Sequence, residues 1–276
     1  MIIDGHAHAM GEFGEPNLLV KLLDKIGVDK VVLCPGGPSS TEKPHVPKIK
    51  ESWIVKNRHL IMFSNRFLHL LVKHKGGVKE KDVGNEIVYS FKQKYPERII
   101  QYYWLNPEQQ NTLEKLDHVR TAWNIDGIKL HQCIMRFTNS SSGMEKLVRY
   151  AGEHQLPIFI HPYSPKEVKM LIRLAKQYSK TMFTIAHLMG LEIFARYGKE
   201  LENIYFDISP YHVISEKRIF RAIDKFSIEK VIMGSDTPMG ENNLENNINK
   251  IQNMDLSKKD KELILGKNIA KLLKII

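Results

Sequence analysis

Histidine and aspartate recur in this chain at one kind of place, the end of a short apolar run. Met1-Ile2-Ile3 leads into Asp-Gly-His-Ala-His, which sets His6 and His8 two residues apart. Gly127-Ile-Lys-Leu-His carries Lys129 and His131, and Pro157-Ile-Phe-Ile-His-Pro carries His161 at its end. Met182-Phe-Thr-Ile-Ala runs into His187, Tyr205-Phe into Asp207, and Val231-Ile-Met-Gly-Ser into Asp236. An imidazole or carboxylate closing a buried strand is poor core filler. The same groups are good nitrogen and oxygen donors for a divalent ion such as zinc. Side chains alternate faces along a strand, so His6 and His8 share a face, as do Lys129 and His131. Two histidines spaced by one residue are weak evidence alone; the weight comes from the repetition at further strand ends.

The elements that position these residues follow a regular rhythm. Strands are expected at Ile2 to His8, Lys30 to Leu33, Arg98 to Leu105, Asp126 to His131, Pro157 to His161, Thr181 to His187, Asn203 to Ser209 and Lys230 to Asp236. Helices are expected between them, at Asn17 to Ile26, Asn85 to Tyr95, Glu108 to Trp123, Gly143 to Gln155, Pro165 to Tyr178, Leu191 to Tyr197 and Ser215 to Phe226. Two more, Glu241 to Met254 and Ser257 to Leu273, close the chain. Gly27 and Pro96 stand where helix stops belong. Eight strands alternating with helices in 276 residues point to an α/β fold of the (β/α)8 TIM-barrel type, which typically needs about 250 residues. An open doubly wound sheet competes, but neither GxGxxG nor GxxxxGK[ST] occurs to give it a phosphate loop.

One stretch breaks the rhythm. Residues 38–84 open Pro-rich and then read as helix from about Ser52 to His74. The whole chain 1–276 is read as one barrel domain, with 38–84 a basic helical insertion after strand 2. An insertion there falls on the C-terminal face, where lids sit, so it is read as a lid or an oligomer contact. Net charge is +10, and residues 38–85 hold ten Lys/Arg against four Asp/Glu. A solvated helical face is the plainer reading of that excess, and a surface that recruits an anionic substrate or partner the other. Hydrophobic and charged fractions of 42% and 26% fit a globular protein. No apolar run reaches the roughly 18 residues of a membrane span, and no secretory leader is seen. Cys34 and Cys133 cannot make a disulfide framework and are expected as buried inert thiols, in a reduced cytoplasmic setting.

In a barrel the C-terminal strand ends face one mouth. His6, His8, Lys129, His131, His161, His187, Asp207 and Asp236 would then converge from six strands. With DGHAH, KYPERIIQYYWLNP, GIKLH, LPIFIHP, the AH before Leu188, GSDTP and the closing GKNIAKLL, the chain resembles the amidohydrolase-related branch of the amidohydrolase superfamily over nearly its whole length. That branch includes aminocarboxymuconate-semialdehyde decarboxylase and many metal-dependent hydrolases. The resemblance implies that His6, His8, His161 and Asp236 ligate a divalent metal, most simply one Zn2+. It also implies that His187 is a nearby acid/base and that Asp236 takes part in catalysis as well. Where relatives carry glycines after that histidine, Leu188-Met189-Gly190 stands here.

Lys129 admits two readings. Carboxylated, it would bridge two metals; otherwise Lys129 or His131 orients substrate. Asp207 is expected either behind a ligand imidazole or as a polar cap, and Arg136, Tyr211 and His212 as substrate contacts. The implied function is a metal-dependent hydrolase acting on a small carbonyl, ester, lactone or amide. A non-oxidative decarboxylase is the alternative from the same site; it would need a cation for the carboxylate, from Arg66, Arg136 or Lys129. A polyanion-binding protein is a third reading, and it leaves the strand-end residues unexplained. A small-molecule substrate is therefore expected, with nucleic acid and membrane disfavoured and a homodimer consistent with the family.

Overall fold

The computed structural model describes residues 1–36 and 83–275. Eight strands pair in parallel and in chain order. They are β1 (Ile3–Ala9), β2 (Lys30–Pro35), β3 (Ile99–Trp104), β4 (Gly127–His131), β5 (Ile158–His161), β6 (Phe183–Ile185), β7 (Ile204–Asp207) and β8 (Val231–Ile232). Beyond β8 the chain returns to β1: Gly5 N donates to Met233 O and His8 N to Thr237 O, each at 2.9 Å, and Ala7 pairs with Thr237. Two glycines permit that seam. A Cβ on Gly5 would lie 2.6 Å from Ile232 and 2.7 Å from the Met233 carbonyl oxygen, and one on Gly234 would lie 2.5 Å from Asp207 Oδ1. Only a residue without a side chain lets the two backbones approach so closely. The (β/α)8 barrel expected from the rhythm is the fold.

Helices cover the outside: α1 (Pro16–Ile26), α2 (Asn85–Lys94), α3 (Thr112–Trp123), α4 (Ser142–Glu153), α5 (Pro165–Gln177), α6 (Leu191–Tyr197), α7 (Glu216–Lys225) and α8 (Asn243–Asn253). Their starts are written locally. Ser141, Ser164 and Ser215 each accept a backbone N–H of the first turn, and Glu15 does the same for α1 with Pro16 behind it, which satisfies donors that a helix leaves unpaired. Outward strand residues such as Val31, Leu33, Ile128, Leu130, Ile158 and Ile160 join the helix faces in one buried cluster. Inward residues Ile3, Val32, Ile100, Tyr102, Phe159 and Ile232 form a second.

The closing segment seals the barrel floor. It is the helix expected over Ser257 to Leu273, running without interruption as α9 (Lys258–Glu262), an internal π turn (Leu263–Lys267) and α10 (Asn268–Leu272). Ile269, Ala270 and Leu272 of α10 pack into the inner cluster beside Ile3 and Val32. Gly266 faces the Met1 carbonyl oxygen, which a Cβ would meet at 2.5 Å, so the π turn lies where the helix presses on the chain start. With the floor filled by apolar side chains, the polar strand ends have one way to face.

Three boundaries differ from expectation. Strand β6 is three residues rather than a run to His187, and β8 is two rather than a run to Asp236. After β6 the chain enters a 3-10 turn in which His187 is left-handed at φ 55°, and after β8 the Met233 N–H leaves the ladder for the Ile264 carbonyl before Asp236, also left-handed at φ 55°, is reached. Helix α3 starts at Thr112 and not at Glu108, because Asn106 accepts the Glu108 N–H and Thr112 donates back to the Asn106 and Gln109 carbonyls. The insertion expected over 38–84, with Arg66, lies outside the described residues apart from 83 and 84. Among the described residues no helix is long and apolar enough to cross a membrane.

Candidate metal centre

The mouth of the barrel gathers the strand-end residues into three donor sets, two of which share His6. His6, His8 and Asp236 offer one ligand atom each within 4.8 Å of one another, as do His6, His187 and Asp207. The third set is His131, Cys133 and His161. His6, His8, His161, Asp207 and Asp236 are all at most 7% exposed, so the charges here are held in a weakly screening interior.

The ring tautomers follow from the hydrogen-bond partners. His8 Nδ1 lies 2.7 Å from the Pro35 carbonyl oxygen. A carbonyl only accepts, so Nδ1 carries the hydrogen and Nε2, 3.5 Å from Asp236 Oδ1, keeps its lone pair. His187 is fixed the same way, Nδ1 donating to the Ser209 carbonyl oxygen at 2.7 Å and Nε2 lying 3.8 Å from Asp236 Oδ2. For His6 the chain of donors is longer. Ser209 Oγ donates to Asp207 Oδ2 at 2.6 Å and so accepts from His6 Nδ1 at 3.2 Å. The remaining His6 nitrogen, Nε2, then keeps its lone pair and meets Lys129 Nζ at 2.8 Å.

Asp207 is the hub behind this arrangement. It accepts from the His187 backbone N–H and from the Ser209 N–H, each at 3.1 Å, besides the Ser209 hydroxyl. Burial alone would raise its pKa, but hydrogen bonds from His187 and His6 outweigh it and hold the carboxyl well below the carboxylate range. Asp236 is likewise pulled well down against burial by His187, His6 and His8. Burial pushes His6 down to about 3, and His131 and His161 well below the ordinary imidazole value. His187 is the exception: burial lowers it, and Asp236 with Asp207 more than compensates, so its pKa is raised. Neutral imidazoles with ionised carboxylates are the protonation states a divalent ion requires of its ligands. The donor set fits such an ion.

Lys129 is fully buried under His6, its Nζ 4.1 Å above the Phe159 ring, and burial lowers its pKa. His131 and His161 lie level in the β4–β5 ladder and stack with ring centres 4.1 Å apart. His161 Nδ1 is 3.8 Å from Cys133 Sγ, and the ring meets His187 edge-on at 5.0 Å. Cys34 and Cys133 are buried, and burial pushes each thiol up to about 12.

The remaining nominated residues stand further back. Arg136 is exposed. Tyr211 is half-buried, and its carbonyl and ring face Lys250, at 2.6 Å and 4.3 Å from the ammonium nitrogen. His212 sits against Gly240, where a Cβ would touch its ring at 2.9 Å.

Four partners escaped the sequence reading. Ser209 links three site residues, Pro35 orients His8, and Phe159 underlies His6, with ring centres 4.1 Å apart. Asp4 accepts from the Ser235 N–H and hydroxyl at 2.8 and 2.6 Å, tying β1 to the segment that carries Asp236. Burial raises Asp4 to about 7. Asp4 and Ser235 lie inside DGHAH and GSDTP, so the signal was present in the motif. Ser209 and Pro35 reach the site through pairing between strands, which no local pattern marks.

Comparison with known proteins bears on this geometry. The Amidohydro_2 family model, described as Amidohydrolase, matches residues 80–275. Among curated proteins none matches the sequence. Similar solved structures include a probable 2-pyrone-4,6-dicarboxylic acid hydrolase from Acinetobacter baumannii with citric acid bound, 16% identical, with 99% of each chain covered and a TM-score of 0.66. The 4-oxalomesaconate hydratase of Rhodopseudomonas palustris is 13% identical at a TM-score of 0.65, covering 99% of this chain and 96% of that one. A dihydroxybenzoic acid decarboxylase from Polaromonas, with bound manganese and the inhibitor 2-nitroresorcinol, is 13% identical at 0.65, covering 99% and 97%. At such identities these likenesses speak for the fold.

Proposed function

The chain belongs to the Amidohydro_2 amidohydrolase family, and from that premise we propose that it is a metal-dependent hydrolase of small carbonyl, ester, lactone or amide substrates. The observation that carries the proposal is the convergence of His6, His8 and Asp236 within 4.8 Å at a buried barrel mouth. His161 joins them as the fourth donor from β5. Zinc suits three imidazoles and a carboxylate, and manganese, present in the Polaromonas decarboxylase, is the competing ion.

A divalent ion in this set supplies Lewis acidity, bringing the pKa of a water towards about 7 and polarising a carbonyl. The protein's own residues do the rest. Asp236, held ionised by His187, His6 and His8, accepts the proton of the attacking water. His187, whose pKa Asp236 and Asp207 raise against burial, carries a proton on Nε2 on the same side, 3.8 Å from Asp236 Oδ2, and passes that proton to the leaving group. Asp207 and the Ser209 carbonyl keep that nitrogen aimed, since both hold the Nδ1 side of the ring. Lys129 orients His6 or the substrate from below.

Decarboxylation at the same centre is the second reading, favoured by relatives such as the 5-carboxyvanillate and 2,6-dihydroxybenzoate decarboxylases. The two part at the product. A panel of lactones, esters and amides, set beside hydroxybenzoates, is assayed with metal-loaded protein for acid release and for carbon dioxide. Acid release abolished by His187→Ala supports hydrolysis, whereas carbon dioxide from the benzoates alone overturns it.

A further inference from the structure

His131 is half-buried at the mouth among the site imidazoles, yet among the described residues no hydrogen bond orients its Nδ1. His8 and His187 each lean on a carbonyl oxygen, as ligand and acid/base histidines ordinarily do. The His131 Nδ1 atom is itself buried and has no hydrogen-bond partner among the described residues. What holds His131 is its faces. Trp104 lies on one side with centres 5.8 Å apart and planes inclined 23°, and His161 on the other at 4.1 Å and 9°.

That geometry argues against His131 and His161 sharing an ion with Cys133, although the three offer nitrogen and sulfur donors within 4.8 Å. An imidazole lone pair lies in the ring plane. An ion midway between two nearly parallel rings would stand up to half of 4.1 Å off each plane. A metal–nitrogen bond is itself only about 2.0–2.1 Å long, so the ion would sit over the nitrogens and not along their lone pairs.

The structure invests in keeping the two rings level. His131 and His161 are direct partners in the β4–β5 ladder, and Gln132 N donates to the His161 carbonyl at 3.1 Å. Past the strand ends Glu167, 3% exposed, clamps the two loops together. Its carboxylate accepts from Gln132 Nε2, Thr138 Oγ1 and Asn139 N at 2.8, 2.9 and 2.7 Å. Asn139 Nδ2 returns a bond to the Glu167 carbonyl at 2.9 Å. Ser164 then Glu167 is the spacing of a capping box, here with the glutamate turned to the neighbouring loop.

We infer that His131 is a positioning residue acting through the face of its ring: stacked between Trp104 and His161, it sets the plane of His161 and so the direction of its lone pair. The inference rests on the reading that His161 holds the ion. The test compares His131→Phe, His131→Ala and His131→Asn in the full-length protein. Zinc affinity is read by chelator competition, the visible spectrum of the cobalt-loaded protein reports ligand geometry, and Tm controls for folding.

Phe keeps a flat ring and no nitrogen, so it should bind zinc within a few fold of wild type and give the wild-type cobalt spectrum. Ala and Asn should each lose about 10–100-fold in affinity, the usual cost of removing a group that orients a ligand. Phe as deficient as Ala at unchanged Tm would overturn the inference. Should Phe fail to fold, Asn decides, because wild-type affinity in Asn would overturn it equally. Wild-type protein that takes up no ion would instead remove the metal reading itself, an outcome distinguishable from any ranking of the three variants.

Discussion

Asp207 is fully buried and governs two of the imidazoles. It draws in the His187 backbone, Ser209, and the Nδ1 sides of His6 and His187. Asp207→Asn should therefore lower zinc affinity by about 10–100-fold, as such outer carboxylates do, in a chelator-competition titration; unchanged affinity would demote the residue to a polar cap. His8→Ala removes a donor and leaves β1 backbone pairing intact, so it should lose the ion while circular dichroism stays native. At this scale the sequence was most legible where chemistry and strand end coincide, as at His6, His8, His161, His187 and Asp236. It was silent where the partner is a backbone oxygen, as at Pro35 and Ser209, because which carbonyl meets which ring is decided by strand register.

Among the elements, the β8–β1 seam is the most sensitive. Gly234 leaves room for Asp207 Oδ1 at 2.5 Å and His6 Cβ at 3.0 Å from where its own Cβ would stand. Gly234→Ala should cost about 1–3 kcal/mol as overpacking and weaken metal binding too, because the displaced atoms belong to the site. Denaturant melts with and without zinc would show both effects, and a fully stable, fully loaded variant would contradict the packing argument. Cys34 and Cys133 make a separate prediction. Both are buried, with thiols pushed to about 12, so a thiol reagent at pH 8 should label neither until the protein unfolds. Rapid native labelling of Cys133 would mean that the mouth is open to solvent down to the β4 loop. The elements were read well from apolar runs and helix caps and poorly at their ends. Strand β6 gives way to a turn with His187 left-handed, a cost that a site can impose and periodicity cannot reveal, and β8 stops where the Met233 N–H turns to Ile264 in the closing helix.

For the whole molecule, the barrel was legible because alternation of strand and helix leaves few ways to bury both faces of a parallel sheet. The reaction was not legible to the same degree, since hydrolases, a hydratase and decarboxylases share this architecture and the fold leaves substrate choice to its loops. Folding and metal binding should be coupled across the chain. The four proposed ligands, from three strand ends, gather only in the native state, so zinc at 100 times its dissociation constant should add about 2.7 kcal/mol of stability. That amounts to several degrees of Tm, removed by a chelator. The central claim meets its most direct test in elemental analysis of protein purified without chelator or affinity-tag metal. The account predicts about one equivalent of divalent ion per chain, reduced to background by His161→Ala with the fold retained. Protein that holds no ion even after reconstitution, or a His161→Ala variant that keeps its full complement, would contradict it.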